Sequence, residues 1–115
     1  MKNQTESVLS ILSFNILYGG THFGQPLNQT AKVIEIARAD VVVLCEQMGN
    51  AQPLADLLAL HCHEVTAPPY RDSVAVLSRF PVIETFEHGA RLALTEDETA
   101  CVFGVHLSTS PYQPY

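Results

Sequence analysis

The stretch that most limits how this chain can fold is Asp40 to Gln47, DVVVLCEQ. Val41-Val42-Val43-Leu44 is an unbroken apolar run, mostly β-branched, closing on Cys45-Glu46-Gln47. Branching at Cβ favours extended backbone. No polar residue alternates with the apolar ones, so both faces of the strand need cover. The preceding segment predicts one cover: Leu27, Ala31, Ile34 and Ala37, flanked by Val33 and Ile36, mark one face of a helix ending near Arg38. Pro26 is suited to open it. Upstream, Val8 to Ile16 (VLSILSFNI) reads as a buried strand. It stops at Leu17-Tyr18-Gly19-Gly20, where glycine permits positive φ or a close backbone approach. The strand–helix–strand order implies a parallel pair.

Downstream, Asn50 or Gln52 is placed to cap a second helix, with Pro53 near its first turn and Leu54, Leu57, Leu58 and Leu60 along it. His61 to Thr66 is a short strand candidate, broken by Pro68-Pro69. Ser73 to Leu77 is another, punctuated by Ser78-Arg79-Phe80-Pro81. Val82 to Phe86, Arg91 to Leu94 and Ala100 to Leu107 follow, the last two separated hairpin-fashion by Glu96-Asp97-Glu98. The chain therefore opens β-α-β-α and continues mostly as a β meander. With no repeat and no linker, residues 1–115 form one domain or part of one.

Composition narrows the partners. Hydrophobic residues make up 47% and charged residues 16%, which suits a buried core and not a disordered chain. Twelve acidic residues against six basic ones give a net charge of −6. Such a chain lacks the basic stripe of a nucleic-acid binder, so nucleic acid is disfavoured unless a divalent cation screens its phosphates. A small or metal-complexed phosphoester is the easier partner. Cys45, Cys62 and Cys101 are odd in number and scattered, which fits a reducing compartment. Cys45 and Cys101 lie in apolar runs and are expected to be buried, inert thiols. The apolar run Val8 to Leu12 is too short for a signal peptide, and no stretch is long enough to span a membrane. A soluble, cytoplasmic chain is expected.

Three polar residues close strand-like runs: Asn15 after SF, Glu46 after VVVLC and His106 after VFGV. Ends of neighbouring strands gather side chains from distant positions at one sheet edge, where open α/β sheets bind ligands. Asn and Glu there supply hard oxygen donors for Mg²⁺, Mn²⁺ or Ca²⁺, and His can contact phosphate or transfer a proton. Each residue also has an ordinary reading: turn former, solvated strand end, core histidine. His61-Cys62-His63 with Cys45 raises a Zn²⁺ site as an alternative. In a strand, however, the two histidines share one face and Cys62 takes the other, and no CxxC or HxxxH accompanies them.

Four strings together carry a family resemblance. SILSFNILYGG is similar to the opening strand of the endonuclease/exonuclease/phosphatase superfamily, which ends in an Asn-Ile or Asn-Val step. ADVVVLCEQ looks like its second strand, with Cys45 where Gln is usual. DSVAVLSRFPVIE resembles its Leu-Ser-Arg-aromatic-Pro signature, and VFGVHLSTS its later strand ending in His-Leu. All four stand in family order between Ser10 and Ser110. The resemblance implies an α+β fold of two packed β-sheets flanked by helices, of which residues 1–115 are the N-terminal half. It implies a phosphodiesterase, nuclease or phosphatase dependent on Mg²⁺ or Mn²⁺. Glu46 would be the central metal ligand, Asn15 a second metal-site residue acting directly or through water, and His106 a catalytic group aimed at the scissile phosphate. Tyr18, Gly19 and His22 would lie where the first loop skirts the substrate, and Arg79 would be structural, paired with an acidic neighbour.

The departures from the family matter as much. Its Asp-x-Asn pair and its terminal Ser-Asp-His motif are not found after His106. A phosphoester scaffold lacking its general base and its C-terminal half is therefore expected, inactive as the 115-residue chain, with an apolar sheet face and open edges. The alternative is an inactive fragment or interaction half that pairs with another chain through such an edge. Nucleic acid, phospholipid, inositol phosphate and nucleotide all remain open as substrates.

Overall fold

The computed structural model describes residues 8–21, 23–65 and 74–105. The first elements are β1 (Ile11–Asn15), α1 (Leu27–Ala37), β2 (Val41–Cys45), α2 (Ala51–Leu58) and β3 (His61–Val65). Four strands follow: β4 (Val74–Ser78), β5 (Val82–Phe86), β6 (Gly89–Ala93) and β7 (Thr99–Phe103). They build two sheets, one in the order β1-β2-β4-β3 and one in the order β5-β6-β7. β1 and β2 run parallel, as the strand–helix–strand order requires. β4 is antiparallel to both β2 and β3. β5, β6 and β7 form an antiparallel meander, with the acidic turn between β6 and β7.

β2 is buried along its whole length, as its sequence demands. Strand alternation splits its side chains between two layers. Val42 and Leu44, joined by Ala75 and Leu77 of β4, pack beneath Ala31 and Ile34 of α1 and Leu54 and Ala55 of α2. Val41, Val43 and Cys45, with Val74 and Val76, pack against Ala90, Leu92 and Val102 of the second sheet. The fold is thus α+β: two packed sheets with both helices on the outer face of the four-stranded one.

The second sheet has three strands over four, and this corrects two expectations. β1 was expected to be buried, yet Ile11, Ser13 and Asn15 are exposed while Leu12 and Phe14 pack on the helix side. The strand's other face looks into a groove of about 430 Å³ shared with Val43 and β7. Cys101 was expected to be an inert buried thiol and is exposed. Its neighbour Val102 takes the inward position, and alternation turns Cys101 outward. Among the described residues, no helix is long and apolar enough to cross a membrane.

Candidate active site

The parallel register pairs Asn15 with Cys45. The carboxyl ends of β1 and β2 therefore coincide, and Asn15 meets Glu46 there. Asn15 Nδ2 donates to Glu46 Oε2 at 3.1 Å. Asn15 Oδ1 accepts the Leu17 N–H at 2.9 Å, which fixes the amide and aims its donor at the carboxylate. Asn15 is exposed and Glu46 half-buried, so the pair is open to solvent.

The backbone around the pair is strained. Among the described residues five non-glycine residues have positive φ, and two of them, Arg38 and Ala59, close helices. The other three are Leu17 (φ 60°), Glu46 (φ 57°) and Met48 (φ 51°), all just beyond β1 or β2. Left-handed backbone at a residue bearing Cβ costs about 1–2 kcal/mol each, and such outliers gather at functional sites.

Hydrogen bonds hold these two loops together. Gly19 N–H donates to the Glu46 carbonyl at 2.8 Å, and Asn50 Nδ2 donates to the Gly19 carbonyl at 2.7 Å. A Cβ on Gly19 would lie 2.7 Å from Asn50 Nδ2, so only glycine permits this approach. The Gly20 carbonyl accepts from Gln25 Nε2 at 2.7 Å and from Thr30 Oγ1 at 2.9 Å. Asn50 occupies the cap position of α2 but makes no side-chain cap bond. The buried Gln47 does that work: its Oε1 accepts from Gly49 N–H at 2.9 Å and Ala51 N–H at 3.1 Å. Gln52, the other cap candidate, lies inside the helix and bonds to Asp56. Asn50 was expected only as a helix cap, and the roles of Gln47, Gln25 and Thr30 escaped the sequence reading, where the sole signal was the pair of glycines that needed something to close on.

The remaining candidates divide. His106 lies outside the described residues, as does His22. Tyr18 lies in the short turn Tyr18–Gly20 beside the pair. Gly104, two residues before His106, lies over the Val43 and Val74 end of the four-stranded sheet, the end that carries the pair. A Cβ there would fall 2.5 Å from Val43 Cγ1 and 2.9 Å from Val74 Cγ1. Arg79 sits at the opposite end of β2, roughly 20 Å away at strand rise. Its Nε lies 3.3 Å from Asp40 Oδ1, the acidic partner expected of a structural arginine.

The Zn²⁺ alternative loses its geometry. His61 and His63 share one face of β3, opposite Ser78 and Val76, while Cys62 packs on the helix side. Burial pushes the Cys62 thiol up to about 11, helped by the nearby Glu64 and Asp56 charges, so it stays protonated at neutral pH. Burial and then Glu46 also raise the Cys45 thiol. Among the described residues no three His, Cys, Asp or Glu side chains converge as a metal cluster.

Beside Asn15 opens a hollow of about 580 Å³, between the end of β1, the Phe23–Gln25 loop and the outer turns of α1. The Glu46 carboxylate next to it is a hard oxygen donor, while the Asn15 amide accepts the Leu17 N–H at Oδ1 and donates from Nδ2 to that carboxylate. Such a carboxylate suits Mg²⁺ or Mn²⁺, which bind through one or two carboxylates and retain several waters. Compared with known proteins, the chain matches no family model and no curated sequence.

Proposed function

We propose that this chain carries the metal-binding half of a Mg²⁺- or Mn²⁺-dependent phosphoester hydrolase site, of the endonuclease/exonuclease/phosphatase type that its sequence resembles. The observation that carries the reading is the Asn15–Glu46 hydrogen bond at the shared carboxyl end of two parallel strands, on strained backbone. Glu46 is the proposed metal ligand. Asn15 is its positioning residue: with Oδ1 held by the Leu17 N–H, it orients the carboxylate through Nδ2. When bound, the metal supplies Lewis-acid polarisation of a phosphoryl oxygen and a bound water of lowered pKa. His106 is assigned, by the resemblance alone, to donate a hydrogen bond to the phosphate.

Hydrolysis also needs a base to activate water, and among the described residues no three His, Cys, Asp or Glu side chains converge to supply one beside a metal. The 115-residue chain is therefore expected to bind the metal without turning over bis-p-nitrophenyl phosphate. The test is an NMR titration with Mg²⁺. Saturable shifts centred on Glu46 and Asn15, lost in Glu46→Ala, support the reading. Shifts that survive Glu46→Ala defeat it. Turnover abolished by Glu46→Ala would keep the metal site and overturn the expected lack of hydrolysis.

The groove between β1 and β7 favours a second reading, an interaction half of the same fold. It is lined by Ile11, Val43 and Val102, with Phe103 and Val105 exposed along it. It lies at two sheet edges that are unpaired among the described residues. Sedimentation of the purified chain distinguishes this reading: a partnerless monomer speaks against it.

A further inference from the structure

We infer that the hollow beside Asn15 receives the organic part of the phosphoester, and that this part is uncharged and partly apolar. The inference rests on the phosphoester reading above. Asn15 belongs to both places: it bonds to Glu46 and it forms one wall of the hollow. A phosphate brought to Glu46 thus has its alcohol portion beside this opening. The volume, about 580 Å³, falls within the roughly 300–1,000 Å³ usual for small-molecule sites.

The lining decides the chemistry. Phe14, Ile16, Phe23 and Val33 give apolar surface, and among the described residues no Lys, Arg, Asp or Glu lines the hollow. Two of its polar groups, Gln25 Nε2 and Thr30 Oγ1, are already committed to the Gly20 carbonyl. Those same bonds fix the wall, so the site is formed before anything enters. A polyanion placed here would give up hydration with no cation in the lining to compensate, on a chain of net charge −6. A neutral alcohol loses little hydration and gains contact with Val33 and with Phe23, which is 80% exposed. A flat nucleoside and an alkyl chain share this chemistry.

The test measures binding to the 115-residue chain in excess Mg²⁺ by calorimetry or NMR. The probes are methyl phosphate, hexyl phosphate, adenosine monophosphate and fructose bisphosphate. Hexyl phosphate or adenosine monophosphate should bind about tenfold tighter than methyl phosphate, as burial of a few methylenes predicts. Fructose bisphosphate should gain nothing over methyl phosphate. The better of the two favoured probes identifies an alkyl or a nucleoside source. Val33 and Gln29 are both exposed on α1. Val33→Trp and, independently, Gln29→Trp should fill the hollow and erase that advantage over methyl phosphate. Circular dichroism confirms that each variant keeps the fold. Equal affinity for all esters, abolished by Glu46→Ala, overturns the subsite and leaves the phosphoester reading standing. An advantage that survives in both tryptophan variants also overturns it. No Mg²⁺-dependent binding of any ester overturns both.

Discussion

β2 has a carboxylate just beyond each of its ends, Asp40 before it and Glu46 after it, and the fold treats them in opposite ways. Asp40 is enclosed by fixed partners. Its Oδ2 accepts from the Ser10 N–H at 3.0 Å and the Ser10 hydroxyl at 3.2 Å, and Arg79 Nε lies 3.3 Å from its Oδ1. Its carboxyl is held below the ordinary value, first by the Ser10 backbone N–H, with the Ser10 hydroxyl and Arg79 assisting and burial opposing. Glu46 meets a neutral amide on left-handed backbone at a solvent-open edge. One carboxylate joins strands; the other is the proposed metal ligand. Residue type alone does not separate these roles. Backbone strain and the nature of the partner do.

The largest expected effect breaks the comparison at its functional end. Glu46→Ala should weaken Mg²⁺ binding by more than about 100-fold, since loss of the ligand exceeds the 10–100-fold typical of its supporting partner. Asp40→Ala should leave Mg²⁺ affinity unchanged. Equal losses in the two variants would mean that the Asn15–Glu46 end is not the metal site. Asn15→Ala, which keeps the carboxylate and removes its positioning bond, should fall between them, at roughly 10–100-fold. All three affinities are read from the NMR titration.

On stability the order reverses. Asp40→Ala removes charge-assisted bonds that join β1 to β2 and should destabilise the chain by about 2 kcal/mol in urea unfolding. Glu46→Ala should be closer to neutral, because it removes an exposed side-chain bond to Asn15 and leaves the backbone strain as it was. Acid sharpens the contrast. Asp40 has a lowered folded pKa, so its contribution is complete above the ordinary carboxyl value of 3.8 and is lost as pH falls from there through the folded value. The stability gap between the native chain and Asp40→Ala should therefore hold at neutral pH and shrink below pH 3.8. A gap that widens on acidification would contradict the sign.

Much of this was legible in the sequence because burial leaves a pattern. The run Val41–Cys45 fixed a fully covered strand, and the spacing of Leu27, Ala31 and Ile34 fixed the helix that covers it. The pairing of Asn15 with Glu46 followed once β1 and β2 ran parallel. What escaped depended on how far one sheet reaches over another. VLSILSFNI is apolar enough for a core strand, yet the three-stranded sheet stops short of β1 and leaves Ile11 half exposed. Cys101 failed for a smaller reason, since one step of alternation decides its face and a short apolar run does not show which step is inward. Asn50, expected to cap α2, leaves that bond to Gln47, because its own amide is taken by the Gly19 carbonyl from a loop about thirty residues earlier in the chain.

Arg79 gives the smallest effect and the finest test of the comparison. Its side chain is 60% exposed and it also lies over the Phe80 ring at 5.4 Å. An exposed ion pair contributes about 0.2–1 kcal/mol and weakens with salt, so Arg79→Ala should cost about 0.5 kcal/mol, less at high ionic strength. Asp40 retains its two bonds from Ser10 in that variant, which is why the loss should be a fraction of that in Asp40→Ala. Arg79 stands inside a string that resembles a phosphoesterase signature, so a direct role on phosphate is the competing idea. At roughly 20 Å from Glu46, set by the rise of β2, it is too far to share a phosphate there. Arg79→Ala should leave Mg²⁺-dependent binding of hexyl phosphate unchanged in the same calorimeter. A tenfold loss would move the phosphate towards Asp40 and reverse the roles of the two ends.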